Sequence, residues 1–380
     1  MATENNNKTL NVPNLRFPEF SGEWERSSLG EITTNFSRRN KEEVRYPMFS
    51  VTNNRGFVPQ SEQFEDREMV GEDIKAYKII HKNDFAYNPA RINVGSIAKY
   101  NGNEPCMISS LYVCFTADKR LDNEWLIQLL KTPKMNFYYN INGEGGVRVY
   151  LFYPNFARIK TAFPSLQEQQ KISSFLALLD ERIATQIKII EKLESLIKGL
   201  CSSLFDKNKY DSFVRLGDIS EITNGNSDVQ NASLSYSDGM YPFFDRSEDI
   251  KFLPEYLLDK EAIIYPGEGS EFYPRYYNGK FALHQRCYAI YDIAPNFATR
   301  YLYFFCKTQN SYFVRNAVGS TVASLRLDTF KRLNIPNIPI ELQKTYVQLL
   351  DKIETKIVDN KTVLKKYEEL KRYLLSNLFI

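Results

Sequence analysis

Histidine is scarce, with only His81 and His284 in 380 residues, and that scarcity argues against a His-based triad or zinc site. The five cysteines (Cys106, Cys114, Cys201, Cys287, Cys306) are an odd number in a long chain, and none forms a C-x-x-C pair. Disulfide frameworks and zinc ribbons are therefore not expected, and a reducing cytoplasm fits best. No run approaches the ~18 apolar residues that cross a bilayer, and the opening Met-Ala-Thr-Glu-Asn-Asn-Asn-Lys lacks the apolar core of a signal peptide or anchor. Gly279-Lys280 is followed by Phe281, so the phosphate-binding loop of an ATP-driven motor is missing. A net charge of +3, from 49 basic and 46 acidic side chains, is too small for a polycation. Any nucleic-acid contact must come from local basic surfaces.

What the chain has is aromatic and apolar bulk: 25 Tyr, 26 Phe and 43% hydrophobic residues, which exclude disorder as its main state. Most of these rings are expected in β-rich cores, with a few on a binding face. At roughly 100–200 residues per domain, the length implies two to three domains.

An internal repeat organises the rest. Leu176, Ile183, Ile190, Ile197 and Leu204 stand seven apart, with Leu179, Leu193 and Leu200 between them, which is the apolar seam of a helical coiled coil. Moving 174 residues along finds Leu350, Ile357, Leu364, Lys371 and Leu378, with Ile353, Tyr367 and Leu374 between them. Even the polar interruption repeats, since Gln186 falls on Asn360. Upstream, Leu29-Gly30-Glu31-Ile32 matches Leu216-Gly217-Asp218-Ile219 at an offset of 187, and the change from 187 to 174 makes the first repeat 13 residues longer. The order is globular, long helix, globular, long helix, each helix about 40 residues and roughly 60 Å.

Short β-branched and aromatic runs (Lys78–Ile80, Leu111–Phe115, Ala262–Tyr265, Cys287–Tyr291) punctuated by Gly, Asn and Pro read as strands. Shorter helical stretches follow near Glu124–Lys131 and Thr299–Lys307, so each half is α+β. Asn88-Pro89-Ala90 has only the outline of the Asn-Pro-Pro-aromatic loop of amino-group methyltransferases, since the second Pro and the aromatic are missing. Pro266–Ser270 is Gly-rich, but no helix opens after it, so a close backbone approach or tight turn is expected there. Glu354-x-Lys356 and Glu369-x-Lys371 have nuclease-like spacing but lie on the heptad helix as solvated faces.

The remaining chemistry is polar and basic and lies in loops. In the first half the candidates are Thr52, Asn53, Asn54, Arg55, Asn88, Arg91, Asn93 and Arg148, and in the second Arg246, Ser247, Ser270, Arg275, Tyr276, Gln285 and Arg286. Asn and Gln can pair with adenine, Arg with guanine, and Ser or Thr with base or phosphate, so these are side chains that a major-groove reader would display.

Two related α+β domains, each followed by a long seamed helix, resemble the specificity subunit of a type I restriction-modification enzyme. Asn14–Trp24 with Leu29–Ile32, Asn83–Arg91 with Ser109-x-x-Tyr112, and Pro164-Ser165-Leu166-Gln167-Glu168-Gln169-Gln170-Lys171-Ile172 are similar to that family's motifs, over about residues 13–380. Ile340-Glu341-Leu342-Gln343-Lys344 is a shortened form of the last, leaving the start of the second helix open.

The resemblance implies a flexible tail (1–12), target-recognition domains at 13–163 and 209–337, and helical spacers at 164–208 and 338–380 that pair as an antiparallel coiled coil. It also implies no catalytic residue and no bound cofactor or metal. S-adenosylmethionine, ATP and Mg would serve two modification subunits and the restriction subunits, while this chain reads an asymmetric bipartite target in double-stranded DNA, its half-sites about one turn apart. Two alternatives remain at this stage: a coiled-coil scaffold that does not bind DNA, which salt-dependent retention on duplex would separate, and an autonomous adenine methyltransferase, which cofactor binding would separate.

Overall fold

The computed structural model describes residues 10–62, 74–145 and 149–380. The chain divides into two compact units, residues 1–185 with 364–380 and residues 186–363, and both boundaries fall inside the long helices.

In the first unit an antiparallel four-stranded sheet runs in the order Thr33–Phe36, Val113–Ala117, Phe85–Tyr87, Ile97–Lys99. Alternate residues of its strands face a core in which Phe85 and Phe115 stack at 5.0 Å and Trp24 meets Trp125 edge-on at 6.0 Å. Helix Asn123–Leu130 covers this core. It is capped by Asp122, whose carboxylate accepts from Trp125 N at 2.7 Å.

The second unit builds a six-stranded sheet, ordered Glu221–Asn224, Cys287–Tyr291, Leu258–Pro266, Arg275–Leu283, Tyr241–Phe244, Lys251–Leu253. One pair is parallel, with Phe243 opposite Ala282, and the rest are antiparallel. Helix Thr299–Lys307 buries Tyr301, Leu302, Phe304 and Phe305 against it.

The expected strands at Lys78–Ile80 and Cys287–Tyr291 are present, and Ala262–Tyr265 lies inside the longer Leu258–Pro266. The first-half run differs: its strand is Val113–Ala117, and Leu111 is 79% exposed. Tyr112 N donates to Ser109 O at 3.2 Å, so a turn takes Leu111 and Tyr112 out of the strand despite their β propensity. All five cysteines are buried free thiols, and burial pushes Cys287 up to about 11.

The internal repeat is visible atom by atom. Leu29 N donates to Ile159 O at 2.9 Å, and Leu216 N to Leu333 O at 2.8 Å. The long helices are Leu166–Leu204 and Ile340–Asn377. At the entry to the first, Gln169 is fully buried. Its Nε2 donates to Pro164 O (2.9 Å) and Arg120 O (3.0 Å), and its Oε1 accepts from Asp122 N (2.7 Å). Gln343, 174 residues on, repeats all three bonds with Ile338 O (2.9 Å), Asn296 O (3.0 Å) and Ala298 N (2.9 Å). The shortened motif therefore opens the second helix in the same way as the full one.

The heptad seam is buried within each unit. In the first, Leu176 and Leu179 share a cluster with Leu374 and Leu378, and Ile183 and Tyr367 pack against it. In the second, Ile197 joins Leu350, Ile353 and Ile357, with Leu193 and Leu200 alongside. Ile190 is buried and Leu364 half-buried. In both units the residue numbers rise on one helix as they fall on the other, so the helices pair antiparallel. Lys371 pairs with Asp180 and Lys361 with Glu194 across them. Gln186 Nε2 donates to Asn360 Oδ1 and, at 3.2 Å, to Asn360 O. Among the described residues no helix is long and apolar enough to cross a membrane.

These two kinds of buried amide respond oppositely to removal. Gln343→Leu orphans a backbone N–H and two carbonyls, and thermal or denaturant unfolding of the full chain should register a loss of at least about 2 kcal/mol. Gln186→Leu with Asn360→Leu deletes both partners of a mutual pair at an apolar seam, and the melting temperature should rise.

Candidate nucleic-acid interface

In the second unit the strands Arg275–Leu283 and Cys287–Tyr291 are joined by His284-Gln285-Arg286. Cys287 N donates to His284 O at 2.8 Å, and His284 N to Phe244 O at 2.9 Å. Two loops press on this turn from either side. A Cβ on Gly225 would meet Leu283 O at 2.0 Å, and one on Gly267 would meet Arg286 O at 2.0 Å, so only glycine permits either approach. The Gly-rich Pro266–Ser270 segment is thus a close backbone approach, as its sequence indicated.

Each loop then supplies an acid. Glu268 accepts from Arg286 Nη1 through both carboxylate oxygens at 2.9 Å, and Asp228 Oδ2 accepts from Gln285 Nε2 at 3.3 Å. Arg286 N donates to His284 Nδ1 at 3.2 Å, so in the neutral ring the proton sits on Nε2. Asp228, Asp245, Arg246, Glu268, Gln285 and Arg286 line a shallow cleft of about 270 Å³. Among the described residues, the Nε and Nη2 of Arg286 and the Oε1 of Gln285 have no protein partner.

Around the cleft, Arg246 is exposed and its guanidinium has no protein partner among the described residues. Asp245 is buried, which pushes its carboxyl up, but the Lys251 ammonium at 2.5 Å and hydrogen bonds from Ser247 outweigh burial and hold it below the usual range. Arg275 donates to Asp245 O and to Ser247 O (2.8 Å), and burial pulls its guanidinium down. Ser270 is exposed in the loop beyond Glu268. Tyr276, the next residue in the strand, faces the other way. Its hydroxyl donates to Glu261 at 2.5 Å, and its ring lies 4.5 Å beneath the Arg300 guanidinium. It is therefore not brought to the cleft.

In the first unit Thr52 closes the hairpin between Phe49–Thr52 and Gly56–Pro59. Its Oγ1 accepts from Arg55 N and donates to Gly56 O, both at 3.1 Å. Asn53 and Asn54 stand exposed at the tip, and Arg55 pairs with Glu62 at 2.7 Å. Ser96 Oγ, donating to Val51 O at 2.7 Å, ties this hairpin to the loop that carries Asn88, Arg91 and Asn93.

Asn88 Oδ1 accepts from Ala90 N (3.0 Å) in a local turn, and Asn93 Nδ2 donates to Asn140 Oδ1 (3.0 Å). Arg91 is exposed with no side-chain partner among the described residues. A cleft of about 820 Å³ opens beside it, also lined by Leu111 and the stacked rings of Tyr150 and Phe152, whose centroids lie 6.3 Å apart. Arg148 lies outside the described residues.

Sequence reasoning missed Asp228 and Glu268, and it missed Leu111, Tyr150 and Phe152 at the first cleft. A glycine followed closely by an acid, as in Gly225-x-x-Asp228 and Gly267-Glu268, is the signal that could have found the first two. Both clefts join exposed guanidiniums to amide side chains that can donate and accept at once, which is the chemistry that distinguishes guanine and adenine edges in a major groove.

A family model described as the type I restriction modification DNA specificity domain matches residues 22–195 and again residues 209–372. A Methanocaldococcus jannaschii protein named as a type I restriction enzyme specificity subunit is 23% identical over 230 residues. That match spans 56% of this chain and 54% of the relative, so the chain matches about half the length of that protein. Two solved structures share the fold. The crystal structure of a type I restriction-modification S subunit from M. genitalium aligns with a TM-score of 0.67 at 15% identity, covering 97% of this chain and 99% of that one. A chain from work on assembly and conformational transition of the type I R-M system aligns at 0.57 with 14% identity, covering 93% and 97%.

Because a Cβ at position 267 has nowhere to go, Gly267→Ala should displace the turn or the loop. The melting temperature should fall by several degrees, and duplex binding should weaken more than it does for Gly199→Ala, a position inside a long helix where nothing lies within 4 Å of the added carbon.

Proposed function

Since the chain belongs to the family of type I restriction-modification DNA specificity domains and holds two copies of that domain, we propose that it is the DNA-recognition subunit of a type I restriction-modification complex. It reads a bipartite target in double-stranded DNA and directs methylation of adenine by two modification subunits and cleavage by restriction subunits. In this reading S-adenosylmethionine, ATP and Mg are used by those partners, and the chain itself supplies recognition.

The observation that carries the reading is one scaffold built twice with unlike loops. Gln169 and Gln343 make the same three bonds, while the first cleft is lined by Arg91, Leu111 and an aromatic pair and the second by Arg246, Gln285 and Arg286. A repeated scaffold suits the local two-fold symmetry of a duplex, as a dimer would, and unlike loops make the two half-sites differ. The absence of a phosphate-binding loop and of an intact Asn-Pro-Pro-aromatic motif in the sequence agrees with chemistry housed elsewhere.

Methylation-sensitive sequencing of a host genome with and without this chain tests the proposal. The expected result is one asymmetric bipartite motif whose methylation disappears with the gene. Exchanging residues 212–335 for those of another family member should change one half-site only. Labelled-methyl transfer by the rigorously pure chain, or a change in both half-sites after the exchange, would overturn it.

A further inference from the structure

Carboxylates are repelled by a polyanion, yet Asp228 and Glu268 line the second cleft and are both taken up by base-reading side-chain types, Gln285 and Arg286. Each is tied into its loop. The backbone on both sides of Glu268 is fixed, with Leu325 N donating to Gly267 O at 2.8 Å and Gly269 N to Ala323 O at 3.0 Å. Asp228 caps the short turn Val229–Asn231, where its Oδ1 accepts from Gln230 N at 3.1 Å. The side chains they hold are long and open to solvent: that of Arg286 is 62% exposed, against 19% for Glu268. In the Glu268–Arg286 pair the acid is therefore the more buried partner on a tied-down backbone, and the guanidinium is the one open to solvent.

The donor arithmetic follows from this arrangement. Glu268 occupies Nη1 of Arg286 and leaves Nε and Nη2, two parallel donors that match N7 and O6 of guanine. Asp228 takes one amide hydrogen of Gln285 and leaves the other with Oε1, the donor and acceptor pair that matches adenine. A guanidinium released from its acid could swing to any phosphate, and phosphate contacts carry no sequence information.

We propose that Asp228 and Glu268 are positioning residues for base recognition, holding Gln285 and Arg286 in their reading orientation and repelling the phosphate backbone, so that affinity for arbitrary duplex is given up for discrimination. This rests on the DNA-reading role proposed above.

The test uses the full chain co-purified with its modification subunits. Binding is measured by fluorescence anisotropy over a range of salt, on one duplex carrying the motif recovered by methylation sequencing and on a scrambled duplex of equal composition. Glu268→Gln, which keeps the shape and removes the charge, should bind the scrambled duplex roughly 3- to 10-fold more tightly and cut the ratio between the two duplexes by about 10-fold or more. Asp228→Asn should shift both readouts in the same directions and serves as a second variant where Glu268→Gln fails to fold.

Relaxation of the methylated motif should be confined to the half-site that changes when residues 212–335 are exchanged. Equal weakening on both duplexes, or no change on either, would overturn the positioning role. Arg286→Ala separates the two levels. Lost discrimination there beside an unaltered Glu268→Gln removes the positioning role alone, while unaltered discrimination in Arg286→Ala removes the reading role of the turn with it.

Discussion

Where each long helix begins, the backbone has polar groups buried beyond the reach of water, and a single glutamine amide satisfies them. Gln169 and Gln343 each bond to two carbonyls and one N–H, binding the helix entry to the residues that open the short helix of the same unit. An unsatisfied buried donor costs more than a made hydrogen bond contributes, so the amide is a condition of the fold and not an addition to it.

The surroundings of that amide have diverged. In the first unit Glu168, nearly fully buried, takes a two-pronged bond from Arg16 and a third from Trp24, drawing the segment before the first strand onto the helix. In the second unit Leu342 stands at the equivalent place. There the short helix is held instead by Arg300 and Lys307, which reach Glu354 at 2.7 and 2.9 Å, with Asp351 also on Arg300 and the ring of Tyr276 stacked against it. One requirement is thus met twice by the same residue, while its buttresses are free to differ, and the same freedom extends to the loops at the two clefts.

Periodicity was the part of this architecture most readable in the sequence. A buried residue every seven positions leaves a trace that survives 174 residues of separation, and the Gln186–Asn360 pair could be named because its members interrupt that trace at matching places. Contacts set by sheet order left no such trace. The parallel pairing of Phe243 with Ala282 and the grip of Asp228 on Gln285 across 57 residues depend on which strands become neighbours, which composition and spacing do not encode. Leu111 was hidden by its own β-favouring neighbours, and the facing of Tyr276 away from Arg275 follows from strand alternation only once the strand's limits are known.

The grip on the His284–Arg286 turn is made by main-chain atoms. Ser227 N meets Leu283 O, Gln285 N meets Ser227 O, His284 N meets Phe244 O, and the two glycines let the flanking loops approach. None of those bonds uses the side chains at 285 or 286, while the His284 ring accepts from Arg286 N within the turn. Positions 285 and 286 are accordingly a small alphabet written on a fixed line, open to mutational drift toward new words without refolding of the domain, and the flanking acids limit which words can be spelled.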